Sequence, residues 1–247
     1  MTIRSAIAVL VLGLGLATAQ AADPIRIATE GAYPPFNFID SSGEVKGFDV
    51  DIARALCDVM DADCVIVTQD WDGIIPGLLV GKYDAIIASM SITEERSRAV
   101  RFTEPYYSNK LQFIGPEDSD FDPGQGLAGL TIGAQRATIA DQWLADNTED
   151  VRIRLYDTQE NAFLDLASGR LDAILADKYV SWEWLESASG EDYEFKGEPV
   201  YADDKIAIAV RKDAAELAAR FSAAIRTIRD NGTYARINQK YFPFDIY

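Results

Sequence analysis

Histidine is absent from all 247 residues of the chain. That removes every Ser-His or Cys-His nucleophile pair and any histidine general base, so a catalytic reading has only carboxylates, lysine or tyrosine to draw on. Cysteine is scarce as well: Cys57 and Cys64, both in "LCDVMDADCVIV", are the two in the chain. In an exported protein such a pair favours a disulfide over free thiols. Metal binding is the weaker alternative, because no imidazole exists to complete a site. Positive charge is also in short supply. The 23 basic residues face 40 acidic ones, a net charge of −17, which argues against nucleic acid or an anionic membrane as partner. The balance favours a cationic partner, although solubility alone accounts for it equally well. Long apolar runs are missing too. The run Ala6 to Leu16 is too short to cross a bilayer. With Arg4 before it and Ala19-Gln20-Ala21 after it, residues 1–21 have the form of a cleaved secretory signal peptide. No cysteine follows that cleavage site, so no lipid anchor is expected, and the mature chain is expected to be a soluble, monomeric periplasmic protein.

What remains is of globular composition, 48% hydrophobic and 26% charged, enough for one large domain or two small ones. From Pro24 onward strands and helices alternate. "IRIATE" and "DCVIVT" are strand patterns; "FDVDIARALCDVM" has apolar residues at helical spacing, Phe48, Ile52, Leu56 and Val59. "WDGIIPGLLVG" is a helix candidate in which Pro76 is tolerable only near the first turn, and "YDAIIAS" is a further strand. The order predicts an α/β sheet, largely parallel, with helices on both faces. "LTIGAQRATIADQWLA" gives another strand, loop and helix, "KIAIAV" a late strand, and "AAELAARFSAAIRTIRDNGTYARINQKYF" two closing helices broken at Asn231-Gly232.

An internal echo suggests two similar lobes. "LLVGKYDAIIAS" (78–89) aligns without gaps on "LASGRLDAILAD" (166–177). Each copy is a helix end, a glycine turn and a buried strand. Ligands of open α/β sheets bind beyond the carboxyl ends of the strands, where Ser89 and Asp177 stand, so each lobe offers one polar group to a shared cleft. The second lobe is expected as an insertion: residues 22–110 with 204–247 form lobe 1 and residues 111–203 form lobe 2, with crossings near Tyr107–Ile114 and Val200–Ile206.

"SMSITEERSRAVRFTEPYY" poses a question of its own. Thr93 suits a helix N-cap, and Glu94 and Glu95 suit the positive end of the helix dipole. Arg96 does not, since it adds a cation where amide hydrogens already favour an anion.

The pieces "IRIATEGAYPPFNF", "GEVKGFDVDIARALCDVMDADC", "DWDGIIPGL", "YDAIIASMSITEERSRAVRFTEPYY", "GRLDAILAD" and "RDNGTYARINQKYF" together resemble the polar amino-acid solute-binding proteins of ATP-binding cassette importers. The likeness is nearest to the lysine/arginine/ornithine- and histidine-binding group and its opine-binding relatives. The resemblance implies the type II periplasmic-binding-protein fold: two α/β lobes joined by a two-strand hinge around a ligand cleft. It also implies a disulfide at Cys57 and Cys64, no cofactor and no metal, and as partners a free L-amino acid and an inner-membrane permease. By the resemblance, Arg96 holds the α-carboxylate of the ligand, which suits a planar guanidinium fork; a surface pair with Glu94 or Glu95 is the alternative. Asp177 matches the α-ammonium ligand, with capping of the following helix as its alternative. Ser89, Met90 and Ser91 line the first lobe's edge, the serines as polar partners. Thr138 matches a residue that offers amide and hydroxyl from the second lobe, but "QRATI" departs from the small, polar run of relatives, so Arg136, Ala137 and Ile139 put that loop's polar contacts in question. Tyr33 and Trp71 match an aromatic pair flanking the ligand side chain. Glu30 matches the acid that receives a basic side chain.

The expected function is capture of a basic amino acid, arginine, lysine, ornithine or histidine, for an importer. Opines such as octopine and nopaline are the runner-up, disfavoured because they carry a substituted amine and Asp177 suits a free one. A cyclohexadienyl or arogenate dehydratase on the same fold is the enzymatic alternative, with Glu30 as its acid. A receptor subunit that reads the closed lobes is a third.

Overall fold

The computed structural model describes residues 23–247; the expected signal peptide lies outside the described residues. Strand β1 (Ile25–Thr29) leads into a small sheet of β2 (Ala32–Tyr33), β3 (Asn37–Ile39) and β4 (Val45–Lys46). Helix α1 (Phe48–Val59), β5 (Cys64–Thr68), α2 (Trp71–Leu79), β6 (Ala85–Ile86) and α3 (Glu94–Ala99) follow. The long strand β7 (Val100–Pro116) then leaves this unit. A second unit contains β8 (Thr131–Gln135), α4 (Ile139–Asn147), β9 (Arg152–Tyr156), α5 (Gln159–Ala167), β10 (Ala173–Asp177) and α6 (Lys178–Leu185). Strand β11 (Tyr193–Arg211) returns, and α7 (Ala215–Asp230) and α8 (Thr233–Tyr241) close the chain.

The main sheet has the order β5-β1-β6-β11-β7-β10-β8-β9. β1 lies parallel to β5 and β6, and β8 parallel to β9 and β10. Between these two parallel triplets run β11 and β7, antiparallel to each other and shared by both. The architecture is therefore two α/β lobes joined by two strands. The β7–β11 register shifts between Lys196 and Tyr201 and again between Tyr201 and Asp204, where the strands pass from one lobe to the other.

Strand alternation decides which helix packs on which face. In the first lobe Ile27, Ala85 and Ile87 meet Ile52 and Leu56 of α1, whereas Ala28, Ile86 and Ala88 meet Ile74 and Leu78 of α2. In the second, Ile174 packs with Phe163 and Leu166 of α5, and Ala173 and Leu175 pack with Ala140 and Leu144 of α4. In each lobe the main sheet is thus covered on both faces. Phe48, wholly buried, is wrapped by Phe36, Tyr107, Tyr234 and Phe242; its burial contributes roughly 2–3 kcal/mol by area alone.

The sequence echo is a structural one. Gly81 and Gly169 both end their helices with positive φ, 77° and 70°. Their amides donate to Leu78 O and Leu166 O at 3.1 and 2.9 Å. Asp84 and Asp172 then repeat one device, each carboxylate accepting from the first strand of its lobe, at Arg26 N (3.0 Å) and Thr131 N (2.7 Å). Cys57, late in α1, is disulfide-bonded to Cys64 at the start of β5.

Pro76 departs from expectation. It lies well inside α2, past the first turn. Its missing N–H removes only the bond that would reach back to Asp72, and the buried Trp71, Ile74 and Leu78 hold the helix in place.

Candidate functional site

A cavity between the lobes is lined by Glu30, Tyr33, Trp71, Ser89, Ser91 and Arg96 from the first, and by Gln135, Thr138, Gln159 and Asp177 from the second. All but one of the residues expected at the site are thus brought together. The exception is Met90, which packs in the core with Trp71 and lines not this cavity but an adjoining one, with Trp71, Arg96 and Thr138.

Thr93 is the N-cap of α3, its hydroxyl accepting from Arg96 N at 3.1 Å. Arg96 forms no pair with Glu94, which takes Arg98 instead. Its guanidinium turns to the cleft, donating to Ser91 O and, across the cleft, to Ala137 O, both at 3.0 Å. It also stands 5.2 Å from the Trp71 ring centroid. Burial works against its charge, and Asp204 and Asp177 work for it.

Asp177 ends β10 at the N-cap position of α6 but makes no side-chain capping bond. It accepts instead from Tyr33 Oη across the cleft at 2.7 Å. Burial, then the nearby Asp204 charge, raises its pKa. Glu30 is likewise buried, and its partner is a neutral amide: Gln135 Nε2 donates to Oε1 at 2.7 Å. Burial pushes the Glu30 pKa up to about 7, with Asp70, Asp72 and Glu160 adding to the rise and Gln135 opposing it.

The hydroxyls are already engaged. Ser89, at φ 52°, donates to Asp49 Oδ2 at 3.0 Å. Ser91 donates to Asp204 Oδ2 at 3.1 Å. Thr138 caps α4 by accepting from Asp141 N and donates to Gln135 O at 2.7 Å. Each keeps acceptor capacity, but its single proton is committed.

The loop after β8 supplies polar contacts of its own. Ala137, at φ 58°, aims its carbonyl at both Trp71 Nε1 (3.2 Å) and Arg96. Arg136 reaches Asp157 at 2.5 Å and, on the other lobe, Asp72 at 3.2 Å. Sequence reading missed Gln135 and Asp204. Gln135 ends β8 and was open to the strand-end rule that found Asp177. Asp204, on β11, carries no signal in its polar segment.

A match to a protein-family profile, the bacterial extracellular solute-binding proteins, family 3, covers residues 25–244. The chain belongs to that family. Family 3 relatives include an L-arginine-binding protein of Pseudomonas aeruginosa, 42% identical over 95% of this chain and 93% of that protein. The ABC transporter arginine-binding protein 1 of Escherichia coli is 38% identical over 91% of this chain and 93% of its own. Among solved structures, an ancestral arginine-binding protein bound to arginine superposes with a TM-score of 0.84 at 31% identity, covering 90% of this chain and all of that one. An ancestral amino-acid-binding protein, a precursor of cyclohexadienyl dehydratase, gives 0.82 at 27% identity over 89% of this chain and 95% of its own.

Proposed function

We propose that this chain captures a free basic amino acid between its lobes and presents it to an inner-membrane ABC import permease, without chemical turnover. The observation that carries the ligand class is Glu30, a buried carboxylate held by the neutral amide of Gln135 and paired with no basic side chain among the described residues. Such a group is costly without a cation, and the side chain of arginine, lysine or ornithine provides one. Tyr33 and Trp71 would flank that side chain. At the other end, Arg96 would take the α-carboxylate, and Asp177, oriented by Tyr33, the α-ammonium. Ser89, Ser91 and Thr138 would add acceptors, with Met90 packed behind Trp71.

The lobe boundaries, residues 22–110 with 204–247 and residues 111–203, draw support from the register break at Tyr201–Asp204. The permease partner draws support from the E. coli relative's role in an ABC transporter. Export to the periplasm agrees with the family's extracellular character. An amino-acid-binding precursor of a dehydratase shares the fold, but Arg96 and Asp177 suit a zwitterion at both ends, and Glu30 then has a binding role.

Calorimetric titration tests the reading. Glu30→Gln keeps the shape and removes the charge. Arginine should weaken by about tenfold or more, the order expected of a buried charge pair, while citrulline changes little. Equal weakening of both would show that Glu30 does not read side-chain charge. Turnover of arogenate or prephenate would overturn the non-enzymatic part.

A further inference from the structure

Asp204 is a buried acid beside the cleft without a part in the reading above; Asp49, behind Ser89, is another, with donors from Ser89, Asn37 and Tyr106. Asp204 is 1% exposed, and Glu30 and Asp177 are each 8% exposed. These last three carboxylates share a feature: their hydrogen bonds come from neutral donors. Gln135 serves Glu30, Tyr33 serves Asp177, and Ser91 Oγ and Asn109 Nδ2 serve Asp204 at 3.1 and 3.0 Å. Arg96, the half-buried cation that faces Asp177 and Asp204, directs its bonds to the carbonyls of Ser91 and Ala137 and to none of the three. The nearby Lys205 points away, to Ser108 and Asp203. Asp204 Oδ1 and Asn109 Oδ1 are both buried with no donor. This corner has acceptors in excess and lacks a proton or a cationic N–H to fill them.

We infer that Asp204 is a further specificity-determining residue: with Glu30 and Asp177 it gives the cleft an excess of negative charge that protons balance before capture and the cationic groups of the ligand balance after it. The inference rests on the basic-amino-acid reading. In the exchange, carboxyl O–H bonds break and their protons pass to bulk water. The ligand keeps its own N–H protons, and its α-ammonium and side-chain cation take over the carboxylates.

The charged surroundings agree. Asp70, Asp72 and Glu160 face Glu30 and make its ionisation harder, while Arg136 partly offsets Asp72. Asp177 and Asp204 disfavour each other's ionisation, with burial as the larger cause and Arg96 opposing. A cation arriving at either end therefore drives a carboxylic acid to its ionised form. With the Glu30 pKa pushed up to about 7, part of that group is protonated at neutral pH. Arginine should release a fraction of a proton there, plus a share from the Asp177–Asp204 pair. Its affinity should rise with pH, by up to about tenfold per pH unit per proton below the free-protein pKa.

The test is calorimetry of the full mature chain with arginine and citrulline at pH 7, in phosphate and in Tris, whose ionisation heats differ. The expected result is proton release with both ligands, larger for arginine. In Asp204→Asn, which keeps the shape, the release with citrulline should fall toward zero, and the pH profile of citrulline affinity should flatten. A merely structural loss would lower affinity at every pH and leave that profile's slope intact. Arginine binding with identical heats in both buffers overturns the inference and leaves the basic-ligand reading standing. Absence of any basic-amino-acid binding overturns that reading and the inference with it. Should Asp204→Asn fail to fold, Glu30→Gln decides: the extra release seen with arginine must vanish, and its persistence overturns the proposal.

Discussion

Replacing Arg136 with glutamine should speed ligand release without touching the ligand. Arg136 sits outside the cavity lining. Its Nη1 lies 2.5 Å from Asp157, which precedes α5 in the same lobe, and 3.2 Å from Asp72 of α2 in the other lobe. The shorter contact pre-orients the guanidinium, so the cross-cleft contact forms with less loss of side-chain freedom. All three side chains are well exposed, at 44% for Arg136, 47% for Asp72 and 75% for Asp157, and exposed pairs are weak. The expected effect is therefore small, a dissociation rate about 1.5 to five times faster in Arg136→Gln. Salt sharpens the test. In 1 M salt the Debye length, about 3 Å, is comparable to this separation, so screening removes much of the attraction. Release from the native chain should accelerate with salt toward the variant's rate, and the variant should respond much less. Trp71, bonded to the Ala137 carbonyl of the same loop, supplies a fluorescence signal for stopped-flow displacement. A double-mutant cycle with Asp72→Asn isolates the pair. Identical release rates and identical salt slopes in the native chain and the variant would refute the clasp.

Two other outcomes follow from the same geometry. If Arg96 is the α-carboxylate anchor proposed above, Arg96→Ala removes a contact common to every amino acid, so affinity for arginine, citrulline and glutamine should all fall in calorimetric titration, by roughly 2–5 kcal/mol, or about 30-fold to several-thousand-fold; normal binding would show that the carboxylate is held elsewhere. Reduction of Cys57–Cys64, which closes a short loop with a sequence separation of 7, should lower stability by about 2–3 kcal/mol in denaturant titration while leaving affinity intact, and thiol titration of the unfolded, unreduced chain should find no free thiol.

What the sequence made legible was local. Amphipathic spacing located α1, because Phe48, Ile52 and Leu56 face the sheet. The echo located the paired glycine turns, because a left-handed residue after a helix and an aspartate at the strand start are both short-range devices. Strand ends located Ser89 and Asp177 by the same logic. The polar first half of β11 hid a strand that runs on to Arg211: Glu194, Glu198, Tyr201 and Asp203 are exposed, and alternation fails where a strand spans a hinge with little core on either face. Pairings across the cleft could not be read at all. Gln135 is 105 residues from Glu30, and Tyr33 is 144 from Asp177.

That divide bears on how the site works. The groups fixed by local structure, Arg96 on its capped helix and Asp177 at its strand end, are held in each lobe whether or not the lobes meet. The groups fixed only across the cleft do the rest: Gln135 on Glu30, Tyr33 on Asp177, and the Ala137 carbonyl on Trp71 and Arg96. Each of these bonds exists only with the lobes together, so each favours closure by its own small amount. The Ala137 carbonyl has a further effect. By accepting from Arg96 Nη2 it commits one edge of the guanidinium to the protein, and a ligand carboxylate must use the remaining donors or displace it. A loop with a small, flexible pair in these positions would leave that edge free. The left-handed Ala137 thus links the departure in sequence to the strength of the carboxylate anchor: Ala137→Gly, which relaxes the strained φ, should loosen the carbonyl's hold and shift the balance toward the ligand.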